Sequence, residues 1–136
     1  MVVSDIMTPY FASAHISSTV GDVMEKMLEE GLSTMLIVDD KSQLVGSIEE
    51  SLLMVAAFDE QWRNNPVSLH MDRKIVTIRP GEPVGQVVEK FMLHRVNEFP
   101  VLQDGKLIGV LTRRQLLRSV LGNQERTPKS VFSGVA

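Results

Sequence analysis

The sequence predicts an α+β (α/β) fold in which a βαββα unit occurs twice and the two copies pack into one domain. The first observation is a repeat: Val3, Ser4, Met7, Val20, Gly21, Val23, Glu25, Lys26 and Asp40 recur at a constant offset of 64 as Val67, Ser68, Met71, Val84, Gly85, Val87, Glu89, Lys90 and Asp104. After a slip of one residue, Leu44, Gly46 and Leu53 recur at an offset of 63 as Leu107, Gly109 and Leu116. A register held over that distance marks a duplicated structural unit. The second observation is periodicity, since each copy passes from a helical apolar stripe to two short apolar runs flanking a polar turn. The third is size. At 136 residues and 43% apolar content the chain can bury one ordinary core, whereas a half of about 60 residues would bury too little surface to be comfortable alone.

Each unit opens on a lone strand, weakly signalled at Phe11 to Ala14 and clearly at Lys74 to Ile78, where the β-branched residues Ile75, Val76, Thr77 and Ile78 cluster. A helix follows, with Val20, Val23, Met24, Met27 and Leu28 on one stripe, Glu25, Lys26, Glu29 and Glu30 opposite, and Gly31 as its stop. Its second copy runs from Val84 through Val87, Val88, Phe91 and Met92 to Arg95. The apolar runs Met35 to Val38 and Leu44 to Ile48, repeated as Phe99 to Leu102 and Leu107 to Leu111, predict paired strands. Their polar turns, Asp39 to Gln43 and Gln103 to Lys106, differ by one residue and absorb the slip. Helices about Ser51 to Phe58 and Arg113 to Leu121 close the units. The division is then residues 1–62, a joint at 63–66 where Pro66 disfavours helix at Asn65, a second unit at 67–121, and a loosely ordered tail at 122–136.

Charge is unevenly shared. Residues 1–64 carry a net −8 and residues 65–136 a net +5. The second half therefore favours an anion, although the same asymmetry also suits attraction between the halves or between two copies. Nucleic acid is not expected, because the basic residues are not interleaved with aromatics. No run is apolar enough to enter a membrane and no leader is evident, so a cytoplasmic location is expected. The absence of cysteine removes disulfides and thiol chemistry. His15, His70 and His94 lack the spacing of a metal pair, and the acidic pairs Glu29-Glu30, Asp39-Asp40 and Glu49-Glu50 fall on element ends. No catalytic set emerges, and an enzyme is not expected.

The repeat resembles a tandem pair of cystathionine-β-synthase (CBS) domains, a Bateman module. The likeness is carried by the openings Val3-Ser4-Asp5-Ile6-Met7-Thr8-Pro9 and Val67-Ser68-Leu69-His70-Met71, by His94 to Val101, and by Leu107-Ile108-Gly109-Val110-Leu111-Thr112-Arg113-Arg114-Gln115-Leu116-Leu117. It implies halves packed with pseudo-twofold symmetry, two clefts, frequent pairing of modules into a flat disc, and regulation by an adenosine-containing ligand, here AMP, ADP, ATP or S-adenosylmethionine, with no cofactor required. With the pair accounting for residues 3–121, a stand-alone module is expected, one that forms a homodimer and signals to an unidentified protein partner. By the resemblance, adenine would lie against Val76, Val96, Asn97 and Glu98, and the ribose against Thr112 and the residue at 115, where the family's Asp is replaced by Gln115. Thr112 to Gln115 equally has the spacing of a capping box. Arg113 and Arg114 offer charged donors beside a helix start, or are simply solvated; the helix start after Gly46 holds Glu49 and Glu50 instead, which would repel phosphate. A nucleotide is therefore expected mainly in the second-half cleft. The alternative is a constitutive docking module with vestigial clefts.

Overall fold

The computed structural model describes residues 1–124. In chain order these form β1 (Ser13–His15), α1 (Val20–Glu30), β2 (Thr34–Val38), β3 (Leu44–Glu49), α2 (Glu50–Ala57), α3 (Glu60–Asn64), α4 (Val84–Leu93), β4 (Glu98–Gln103), β5 (Lys106–Thr112) and α5 (Arg113–Gln124). The local reasons are those of the sequence. Thr19 and Asp22 close a reciprocal cap over the start of α1, and Gly31, at φ 66°, ends it in the left-handed conformation. The apolar stripe then turns inward, burying Val20, Val23 and Met27.

The two halves complete each other by exchanging their opening segments. Residues 1–8 belong to the first repeat but bond to the second: Val3 N–H donates to Glu82 O at 2.9 Å, Val84 N–H to Met1 O at 3.1 Å, and Thr8 and Val110 exchange two bonds at 3.0 Å. Reciprocally, Val67 N–H donates to Ser18 O at 2.9 Å, and Ser47 and Asp72 exchange bonds at 2.9 and 2.8 Å. Side chains follow the backbone. Val3 is buried with Ile78, Val87, Phe99 and Leu111, while Val67 and Met71 are buried with Val23, Met35, Ile37 and Ile48. A third cluster of Leu36, Leu107 and Val110 joins the two hairpins. Gly46 and Gly109 are glycine because a crossing segment lies over each. A side chain at Gly109 would stand 2.7 Å from Thr8 O, and one at Gly46 would overlap Met71 Sδ.

Three expectations are corrected. The weakly signalled lone strand is the real one, since β1 pairs in parallel with β2 over Ser13 to His15. The clearly signalled one, Lys74 to Ile78, makes a single parallel bridge from Ile78 to Val101. The cause is Pro100, which occupies the place of Leu36 in the repeat and has no N–H to give to a ladder. The joint is partly helical: Asn65 is extended before Pro66, as expected, but residues 63–64 end a short helix, α3, which Asp59 caps through Gln61 and Trp62 N–H, and Trp62 stacks on His70 at 3.9 Å between ring centroids. Finally, α5 runs on to Gln124 and not to residue 121, and the remainder of the expected tail, residues 125–136, lies outside the described part.

Candidate functional site

Two clefts flank a shared ridge formed by Ser33-Thr34 and Asn97-Glu98, the residues that lead into β2 and β4. The first cleft, about 430 Å³, has Lys74, Ile75 and Val76 on one wall and Ser47, Glu49, Glu50 and Ser51 on the other. The second, about 630 Å³, has Tyr10, Phe11 and Ala12 facing Val110, Thr112, Arg113 and Arg114. Both volumes lie in the ordinary range for small-molecule sites. The walls correspond through the repeat: 10–12 with 74–76 at an offset of 64, and 47–51 with 110–114 at 63. In each cleft, the exchange of openings sets the lone segment of one half against the strand-to-helix turn of the other.

The eight residues expected to share one cleft are therefore divided. Val76 and Val96 line the first cleft, Thr112, Arg113 and Arg114 the second, and Asn97 and Glu98 touch both. Gln115 lines neither. Its Oε1 accepts from Thr112 N–H at 2.9 Å while its own N–H donates to Thr112 Oγ1 at 3.0 Å, closing the reciprocal cap of α5. The residues that complete the second cleft, Tyr10 to Ala12 and Gly31 to Thr34, escaped sequence reasoning. The signal was present, because subtracting 64 from Val76 and from Val96 to Glu98 lands on Ala12 and on Leu32 to Thr34.

The ridge is fixed by matching backbone bonds at the two helix starts. Arg113 N–H donates to Asn97 O and Glu50 N–H to Ser33 O, each at 3.0 Å. Charge breaks this symmetry. In the second cleft the first turn of α5 presents Arg113, whose guanidinium carbon lies 6.0 Å from the centre of the Phe91 ring, and Arg114. In the first cleft the same turn presents Glu49 and Glu50. Glu98 stands between the two, and burial pushes its carboxyl above its ordinary value. Among the described residues, Lys90 pairs with Glu82 and the His15 ring hydrogen-bonds to Asp40, so neither arginine is neutralised by a bonded carboxylate. No group of three His, Cys, Asp or Glu side chains among them is arranged to hold a metal. No helix among them is long and apolar enough to cross a membrane.

The family model for the CBS domain matches residues 3–58 and again 67–122. The chain belongs to the CBS-domain family. It is 28% identical over 126 residues to an A-adding tRNA nucleotidyltransferase of Aquifex aeolicus, covering 91% of this chain and 15% of that protein. It is 22% identical to an uncharacterized protein, MJ1225, of Methanocaldococcus jannaschii, covering 85% of this chain and 41% of that one. The chain thus spans less than half the length of these curated relatives. Among solved structures, CBSX2 from Arabidopsis thaliana superposes with a TM-score of 0.80 at 23% identity, over 91% of this chain and 96% of that one. CBSX2 has also been solved in complex with AMP. The CBS pair of protein MJ0100, solved with 5′-methylthioadenosine and S-adenosyl-L-methionine, superposes with a TM-score of 0.74 at 22% identity, over 90% and 98% of the two chains. The α+β CBS-pair fold expected from the repeat is the fold the protein has.

Proposed function

We propose that this CBS pair is a regulatory module that binds an adenine nucleotide, AMP, ADP or ATP, in the second cleft without turning it over. The observation that carries this is the pairing of an apolar wall with a cationic helix start. Phe11, Ala12 and Leu32 suit a buried purine beside main-chain donors and acceptors, and Arg113 and Arg114 suit its phosphates at the N-terminus of α5. The AMP complex of CBSX2, a protein of the same fold, supports the ligand class. Because the two walls come from different halves, a ligand spanning them favours one relative orientation of those halves and so alters the surface shown to a partner. Isothermal titration with AMP, ADP and ATP tests the reading. One site per chain is expected, weakened at least tenfold in an Arg113→Ala, Arg114→Ala variant; no heat and no thermal shift with any of the three would reject it.

A specific observation favours a second reading, a constitutive docking module. Gln115 is committed to its cap and does not face the cleft where the family's Asp would hold a ribose. That reading expects a dimer unaffected by nucleotide. Homodimer formation, a protein partner and a cytoplasmic location are parts of the proposal under either reading.

A further inference from the structure

Glu98 is the one carboxylate among the residues lining the second cleft, and it stands on the ridge that the two clefts share. The repeat does not account for it. Its counterpart 64 residues earlier is the neutral Thr34, which touches both clefts in the same way. Backbone bonds hold the position: Glu98 pairs with Thr112 in the β4–β5 ladder, and Asn97 O beside it accepts from Arg113 N–H at 3.0 Å. The side chain is half-buried, and among the described residues no cation forms an ion pair with it. Burial pushes its carboxyl above the ordinary value, with no hydrogen bond or neighbouring charge acting the other way. The only other ionic side chains lining that cleft are Arg113 and Arg114. An ionised Glu98 therefore opposes the anion that those arginines attract, and a protonated one does not.

We propose that Glu98 couples anion binding in the second cleft to the uptake of a proton, so that occupancy of the cleft reports acidity as well as ligand concentration. This deepens, and rests on, the reading of that cleft as a nucleotide site. Two effects act in one direction. A ligand resting on the ridge strips water from the carboxylate, and its phosphate brings further negative charge into the same cleft; each favours the protonated form. Once protonated, Glu98 also has an O–H to donate. The other titratable or charged groups facing the ridge are Tyr10, Arg113 and Arg114 in the second cleft, and Glu49, Glu50, Asp72, Lys74, His94 and Arg95 in the first. Of the carboxylates and the histidine in that set, only Glu98 reaches the second cleft. The free protein holds the Glu98 proton up to its raised value, and the complex holds it up to a higher one. Affinity for the anion is therefore level below the first value, falls as pH rises between the two, and is level again above the second.

The test is isothermal titration of the full chain with AMP from acid to neutral pH, in buffers of different ionisation enthalpy, which counts the protons taken up per AMP bound. The parent protein should take up more proton per AMP than Glu98→Gln does. Across the same range its dissociation constant should rise about three- to tenfold further than that of the variant. The second ionisation of the phosphate, at a pH of about 6, is common to both proteins and drops out of the comparison. His94→Gln should keep the parental proton count, and thermal melting checks that each variant is folded. Equal proton counts and equal pH slopes in the parent and Glu98→Gln, or uptake lost through His94→Gln instead, would overturn the inference while leaving the nucleotide reading in place. Absence of AMP binding at every pH would reject that reading and this inference with it.

Discussion

Gly109 lies under the Thr8 carbonyl, and a Cβ there would be 2.7 Å from that oxygen and 3.2 Å from Met7 Sδ. Gly46 lies under Met71, whose unbranched side chain can rotate away. The two repeat positions therefore differ in tolerance: Gly109→Ala, which must displace backbone, should lower stability by about 1–3 kcal/mol and Gly46→Ala by less. Urea unfolding of the two variants checks the order. Two carboxylates set opposing pH dependences. Burial acts to raise Glu82 but is outweighed by hydrogen bonds from Lys90 Nζ and Arg79 N–H and by the Lys90 and Arg79 charges, so its carboxyl is held below its ordinary value. Its stabilising effect is present above the unfolded value and is lost as pH falls through the lowered folded one. Glu98, raised by burial, behaves the other way. The folded state holds that proton more tightly, so stability declines as pH rises from the ordinary carboxylate range through the raised value. Melting temperatures followed from acid to neutral pH should show Glu98→Gln gaining on the parent protein as pH rises; a constant offset between the two curves would contradict this.

At the scale of elements, the exchange of openings predicts damage at a distance. Val3 is fully buried in the core of the second half and Val67 in that of the first. Val3→Ala should lower stability by about 1–3 kcal/mol and loosen β4 and β5, not the strands of its own repeat. Val67→Ala should do the converse. Hydrogen exchange resolves the two halves, and protection lost only within residues 1–60 of the Val3 variant would refute the exchange. Much of this architecture was legible in the sequence. The stripes of α1 and α4, except for Leu28 and Met92, which stand in solvent, and both hairpins appear where their apolar periods place them, because those signals are local. What sequence reasoning missed depends on partners. The β-branched cluster at Ile75 to Ile78 looks more strand-like than Ser13 to His15, yet a ladder needs donors on both strands, and Pro100 withholds one. The expected site residues divide between two clefts for the same kind of reason. They were assigned to a cleft within one repeat, whereas the crossing of residues 1–8 and 67–72 pairs each wall with one from the other half.

For the molecule as a whole, the repeat leaves a matched set of apolar side chains in solvent. Leu28 and Met92, Met54 and Leu117, and Phe58 and Leu121 are equivalent pairs through the repeat, and their exposures run from 47% for Leu121 to 92% for Phe58. Scattered exposed apolar residues need no explanation, but large ones at corresponding places in both halves fit the proposal that a partner covers them. A second copy of the same module covers such a set economically, because each half then meets an equivalent half across a twofold axis. The dimer proposed for this CBS pair should thus rest on the outer faces of α2 and α5. Phe58→Asp with Leu121→Asp should shift light scattering from dimer to monomer while leaving the melting of the isolated module nearly unchanged, since neither side chain is part of a core cluster. A dimer that survives both charges would place the contact elsewhere, and a parent protein that is monomeric at all concentrations would leave that surface to a different partner.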